Sequence, residues 1–185
     1  MAELRFPAPA LTGDVVRLRA WRDEDVPGVV RAFEDPVMRR FSWRDEPFTE
    51  PEARDQLAGQ ELARSDGDAL SLAVVDAGDE RVLLGEVALH EVRPTRGSAA
   101  IGYWLAPAGR GRGAATQAVR LLAGWAFAEL RIARLELTCG PDNTASQRVA
   151  TRCGFSLEGL LRSHMPFRGG RRDSLIYSLL PGELT

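Results

Sequence analysis

The stretch Leu105-Ala106-Pro107-Ala108-Gly109-Arg110-Gly111-Arg112-Gly113-Ala114-Ala115-Thr116 carries the strongest chemical signal in the chain. Its glycines let backbone approach a ligand without a Cβ in the way. It follows a strand-like run, Ala99 to Leu105. It opens a helix-like run, Ala114 to Leu130, with Ala115, Ala118, Val119, Leu122, Ala126 and Leu130 at helical spacing. The first amides of such a helix lack intrahelical acceptors and lie at the positive end of its dipole. Arg110 and Arg112 add two full charges. A turn of this composition holds phosphate oxygens.

The spacing narrows the kind of phosphate. A P-loop ends in Gly-Lys-Ser/Thr, and Gly113-Ala114-Ala115 has no lysine. A dinucleotide fold needs G-x-G-x-x-G after its first strand and an acidic residue closing the next strand. Here the glycines fall as G-x-G-x-G after several strands, and the following strand ends at Thr138-Cys139. The competing reading is a turn with solvated arginines. Other groups able to do chemistry are Glu86 and His90 on one strand face and His164 further on. The aromatics Trp21, Phe41, Trp43 and Phe48 lie among Arg39, Arg40 and Arg44, as an acceptor wall or as a small core.

The elements that must position these groups follow from periodicity. Strands are expected at Val15–Arg19, Ala69–Val75, Arg81–His90, Ala99–Leu105, Leu135–Cys139, Phe155–Arg162 and Ser174–Leu180, the last with Ile176 and Leu180 inward. A short helix starts at Asp23-Glu24-Asp25 and ends before Pro36. Thr49-Glu50-Pro51-Glu52 reads as a capping box opening a helix to Arg64. Asn143 is suited to cap another helix, with Ala145, Val149 and Cys153 inward and Gly154 at its end. The polar, glycine-containing run from His164 to Arg172 reads as a loop on the rim of a site. This order gives one domain over residues 1–185, of the mixed α/β (α+β) class.

Composition excludes some functions. The 185 residues can bury a substantial core. A net charge of −2 offers no dominant basic face for nucleic acid. All 24 basic residues are arginine, which reads first as codon bias. Cys139 and Cys153 lack metal or redox spacing, so no metal centre is expected and both should be buried free thiols. No apolar run approaches membrane-spanning length. The N-terminus lacks a signal-peptide pattern, so a cytoplasmic location is expected by default.

Residues 101–118 and 143–159 together resemble the GNAT superfamily of acetyl-CoA-dependent N-acetyltransferases, in the branch of the Rim-type (RimJ/RimL-like) ribosomal-protein N-terminal acetyltransferases. Arg110-Gly111-Arg112-Gly113-Ala114-Ala115 fits the pyrophosphate pattern Arg/Gln-x-x-Gly-x-Gly/Ala. Asn143, Ser146, Gly154 and Phe155 fit Asn-x-x-Ser before Gly-Phe. Asp173 and Tyr177 fit the closing pattern, and Leu18 to Trp21 the opening one. The chain departs at Ala100 and Gln117, where the branch commonly has glutamate. The resemblance implies a mostly antiparallel mixed sheet with helices on both faces and a splayed cofactor cleft.

It also implies roles. The cofactor is acetyl-CoA, and its partner is an amine acceptor, a peptide N-terminus or a small amine. A non-catalytic CoA-binding module is the reading from another class. Residues Arg110, Gly111, Arg112, Gly113, Ala114 and Ala115 would hold the diphosphate, with Leu105, Asn143 and Ser146 also at the cofactor. The Leu105 amide would face the thioester oxygen. Ser146 would act as the acid, because Ala150 stands where many members have tyrosine; the alternative is that it only bonds backbone. Glu86, through water, is the first choice of base, ahead of His90 and His164; the alternative is that Glu86 is only a solvated carboxylate on the strand face. Trp43, Phe41 and His164 would line the acceptor pocket. A homodimer is one assembly open to it.

Overall fold

The computed structural model describes residues 3–42 and 48–185. Seven strands form one sheet in the order β1-β2-β3-β4-β5-β7-β6. They are β1 (Val16–Arg19), β2 (Leu70–Asp76), β3 (Leu83–Arg93), β4 (Ser98–Leu105), β5 (Arg134–Cys139), β6 (Ser156–Phe167) and β7 (Gly170–Leu179). Every pairing is antiparallel except β4 with β5. Helices α1 (Val26–Glu34), α2 (Pro36–Phe41) and α3 (Glu50–Ser65) come early, and α4 (Ala114–Glu129) and α5 (Thr144–Arg152) come late.

Strand alternation sorts side chains to two faces. Leu72, Val74, Val87, Leu89, Ile101, Leu135 and Leu137 join the inner sides of α4 and α5 in the main core. On the opposite face Val26, Val29, Phe48 and Ala53 form a second cluster, with Trp21, Phe33 and Trp104 packed against it. Helices thus cover both faces, as expected. Cys139 and Cys153 are both buried free thiols.

The parallel pair is short. Ser98, Ala99 and Ala100 pair with Arg134, Leu135 and Glu136, and there the ladder stops. Beyond it β4 stays on β3 and β5 stays on β7. The two central strands therefore part, and the cleft expected from the resemblance opens between them.

Four local readings need correction. Pro36 does not simply end a helix: it begins α2, with Asp35 as N-cap accepting from Val37 N and Met38 N. Proline suits the first helical turn because its missing N–H is not needed there. The run from His164 to Arg172 is not a loop but the far end of the β6–β7 hairpin, paired from Met165–Arg172 to Phe167–Gly170. The inner stripe of α5 contains Ser146, Ala150 and Cys153, while Ala145 is exposed. In β7, Tyr177 and Leu179 enter the core, Ile176 is half-buried and Leu180 is exposed.

Candidate active site

The glycine-rich turn connects β4 to α4 across a short 3-10 turn at Pro107–Gly109. Gly111 and Gly113 have φ of +73° and +80°, and a Cβ on either would meet open space. Gly113 is the N-cap of α4 and makes no side-chain cap. The N–H groups of Ala114, Ala115 and Thr116 find no acceptor among the described residues, as the start of an uncapped helix requires. Anion-seeking backbone is thus left unsatisfied at the start of α4, where Gly113 and Thr116 border a cavity.

The arginine side chains behave differently from expectation. Arg110 Nη2 lies 2.5 Å from Asp35 Oδ1 and 3.1 Å from the Leu105 carbonyl. Arg112 Nη2 lies 2.7 Å from Asp76 Oδ2. Both charges are therefore already paired, and the free anion-binding capacity belongs to the backbone. The guanidinium of Arg110 and the two α2 amides hold the Asp35 carboxyl below the usual range. Arg110 thereby fastens the turn to α2 and to the end of β4. A cavity of about 540 Å³ beside the turn is lined by Arg112, Gly113, Arg120 and Arg152, among others.

Hydrogen-bond parity aims the end of β4. Ala106 N–H donates to the Leu84 carbonyl at 2.9 Å, and Leu105 is registered with Gly85. Antiparallel pairs alternate between bonded and non-bonded types. Leu105 accordingly turns its N–H and C=O away from β3 and into the cleft, which the Arg110 contact to that carbonyl bears out. Tyr103, two residues back, shares this orientation.

Across the cleft stands α5. Asn143 Oδ1 accepts from Ser146 N at 3.1 Å, capping the helix. Ser146 is buried, and its Oγ accepts from Tyr103 Oη at 3.1 Å. This contact joins the two walls of the cleft. Sequence reasoning did not single out Tyr103. The available signal was alternation, which puts it on the face of Leu105. Burial pushes the tyrosine hydroxyl up to about 12.

Leu105, the turn from Arg110 to Ala115, Asn143 and Ser146 are thus gathered around one opening. Glu86 is not among them. Its register partner is Trp104, and it lies on the α1/α3 face, where Gln60 Nε2 donates to Glu86 Oε2 at 2.8 Å. It is buried rather than solvated, and desolvation raises its pKa. Gln60, Ser71 and Trp21 line a cavity of about 540 Å³ on that face. A raised folded pKa means that the folded chain binds protons more tightly than the unfolded one. Wild-type stability therefore falls as pH rises from about 4.5, the ordinary value, through the raised one. Glu86→Gln should remove this loss. Its thermal midpoint should match wild type below pH 4.5 and exceed it increasingly above, which melting curves across pH will check.

The expected acceptor wall is partly assembled. Phe41 ends α2, half-buried, with the Arg40 guanidinium 5.2 Å from its ring centre. Arg40 also lies 3.4 Å from Asp142 beyond β5, and Arg168 of the β6–β7 hairpin donates to the Arg39 carbonyl. His164 is on that hairpin in β6, not in a loop, and its Nδ1 is buried with no hydrogen-bond partner among the described residues. Trp43 lies outside the described residues. His90 is exposed on β3.

Comparison with known proteins shows the family. A family model described as an acetyltransferase (GNAT) domain matches residues 16–156. The chain belongs to the GNAT acetyltransferase family. Among curated GNAT relatives, YjcK of Bacillus subtilis (strain 168), named a probable N-acetyltransferase, is 37% identical over 108 residues, 58% of this chain. The chain spans 59% of YjcK's length. The ribosomal-protein-serine acetyltransferase of Escherichia coli (strain K12) is 29% identical over 126 residues, 68% of this chain and 69% of that protein. Mycobacterium smegmatis RimJ, solved in complex with CoA-disulfide, superposes with a TM-score of 0.82 at 25% identity, over 95% of this chain and 86% of that one. Its likeness extends the shared fold beyond the matched segment.

Proposed function

We propose that this GNAT protein transfers acetyl from acetyl-CoA to a primary amine, chiefly the α-amine of a peptide or protein N-terminus. The observation that carries the reading is the cleft between β4 and β5, with unsatisfied amides of α4 at its mouth and the Leu105 N–H turned into it. Acetyl-CoA supplies an acetyl group already activated as a thioester. The backbone from Arg110 to Ala115 fits its diphosphate, and Arg120 and Arg152 offer positive charge to its nucleotide end. Asn143 keeps the first turn of α5 against the cofactor.

The Leu105 N–H stabilises negative charge as it develops on the acetyl oxygen. Ser146 offers a hydroxyl hydrogen to the sulfur. Glu86, made more basic by burial, takes the proton of the incoming ammonium through water from the α1/α3 side. The demand on that base depends on the acceptor. Reference pKa values are about 7.7–8.0 for an α-amine and about 10.4 for lysine. About one α-amine in ten is already neutral at pH 7, against fewer than about one lysine in a thousand. A single buried carboxylate is adequate for the former. Phe41, His164 and Trp43 would border the acceptor, and the ribosomal-protein-serine acetyltransferase among its relatives points to a protein as that acceptor.

Thiol release from acetyl-CoA across an amine panel tests the proposal. Peptides with free N-termini should turn over, and the same peptides with blocked N-termini and a free lysine should not. Turnover restricted to polyamines, aminosugars or amino acids would replace the acceptor assignment, and release with no amine at all would remove the activity. Ser146→Ala should lower kcat about 10- to 100-fold, the worth of one hydrogen bond to a charged group, with acetyl-CoA affinity held within about twofold. Steady-state rates together with cofactor titration will check this.

A further inference from the structure

We propose that Tyr103 is a positioning residue: its hydroxyl fixes the direction of the Ser146 hydroxyl hydrogen, so that the hydrogen points at the sulfur of bound coenzyme A. The inference deepens the proposed function and rests on the same site. Three observations carry it. First, Tyr103 Oη and Ser146 Oγ are 3.1 Å apart across the cleft, one on β4 and the other on α5. Second, Ser146 does not satisfy itself locally. Serine and threonine in helices often donate to a carbonyl one turn back. Thr151 does so on this same helix, donating to the Gln147 carbonyl at 3.0 Å. Among the described residues Ser146 makes no such bond, and the Asn143 carbonyl is already taken by Gln147 N. Third, Ser146 is withdrawn from water, being 9% exposed. A hydroxyl held there by one donor has few directions left for its own hydrogen.

Tyr103 is a durable donor. Its hydroxyl, pushed up to about 12, keeps its proton at any pH at which the protein works. Tyr103 therefore need not ionise, and Ser146 need not become an alkoxide. In the transfer, the amine nitrogen forms the bond to the acetyl carbon, the C–S bond breaks and its electron pair goes to sulfur. The proton shed by nitrogen leaves through the base, and the thiolate is later protonated from solvent. Ser146 stabilises that thiolate by hydrogen bonding, and Tyr103 keeps the donor aimed. In the free protein burial raises the pKa of the Cys139 thiol, and a hydrogen bond from Ser146 opposes the rise. A thiol is thus already the kind of group that Ser146 meets here.

The test reads the thiol rather than turnover. The thiolate absorbance of bound coenzyme A is titrated with pH in a Cys139→Ala background, with the protein-only titration subtracted. Ser146→Ala should raise the bound thiol pKa by about one unit, which is about 1.4 kcal/mol of lost hydrogen bonding. Tyr103→Phe, which keeps the ring, should raise it by at least about half as much. In the Ser146→Ala background the added Tyr103→Phe should change nothing, because its effect passes through Ser146. A purely structural tyrosine would act equally in both backgrounds. A Tyr103→Phe thiol that titrates as wild type or lower overturns the proposal. So does an equal shift in both backgrounds. Failure of the functional reading looks different: coenzyme A then does not bind, or binds with the predicted thiol behaviour while no amine is acetylated.

Discussion

Gly113→Asp is expected to weaken acetyl-CoA binding at least about 100-fold while leaving a folded protein. Gly113 has a φ of +80°, and a Cβ there points into open space. A carboxylate at that point would stand in front of the free amides of Ala114, Ala115 and Thr116. Each hydrogen bond to a charged group contributes about 1.5–3 kcal/mol, so losing two is worth well over a hundredfold in affinity. The cost to folding is smaller. A side chain in the left-handed region loses about 1–2 kcal/mol. For a domain of this size that corresponds to about 2–8 °C in the melting midpoint. Calorimetric titration with acetyl-CoA, beside a thermal melt, separates the two effects. A variant that folds and binds the thioester normally would show that the diphosphate lies elsewhere.

Gly85→Ala should act in the opposite way, through the fold. Gly85 has a φ of +154°, and a Cβ would sit 2.1 Å from the Trp104 carbonyl oxygen and 2.9 Å from Leu105 Cα. Gly85 is paired with Val74 on one side and Leu105 on the other, so backbone hems it in at both edges. No flexible side chain can yield. The methyl must push β4 away from β3 where Leu105 presents its amide. A loss of about 3 kcal/mol or more is expected, with a fall of about 6–12 °C in the midpoint. Turnover should fall at least tenfold, because Leu105 N–H no longer meets the developing charge. A Gly85→Ala protein with a wild-type melt would contradict the close approach of these strands.

The sequence made the cofactor side legible and the acceptor side less so, for physical reasons. A glycine turn between an alternating strand and an amphipathic helix is a local pattern, and α4 buries Ala115, Ala118, Val119, Leu122 and Ala126 as its spacing requires. The α5 stripe misled because its inward position holds a polar residue. Reading only apolar side chains placed Ala145 inside and left the choice for Ser146 to chemistry. Such departures from apolar patterning gather at functional sites. The end of the β6–β7 hairpin was hidden because it is an edge, exposed on both faces and rich in arginine, so no alternation marks it. Helix α2 is six residues long and carries no buried residue. Its signal was the Asp35-Pro36 pair, which reads equally as a stop. The pairing of Arg110 with Asp35 spans 75 positions, and no local pattern contains it.

Amide chemical shifts on titration with coenzyme A report whether the start of α4 holds the diphosphate. The N–H signals of Gly113, Ala114, Ala115 and Thr116 should move first and farthest, with Leu105 and Ser146 following, as saturation is approached. Saturable binding that leaves those four amides unmoved would contradict it, since the ligand would then be held by something other than the start of α4.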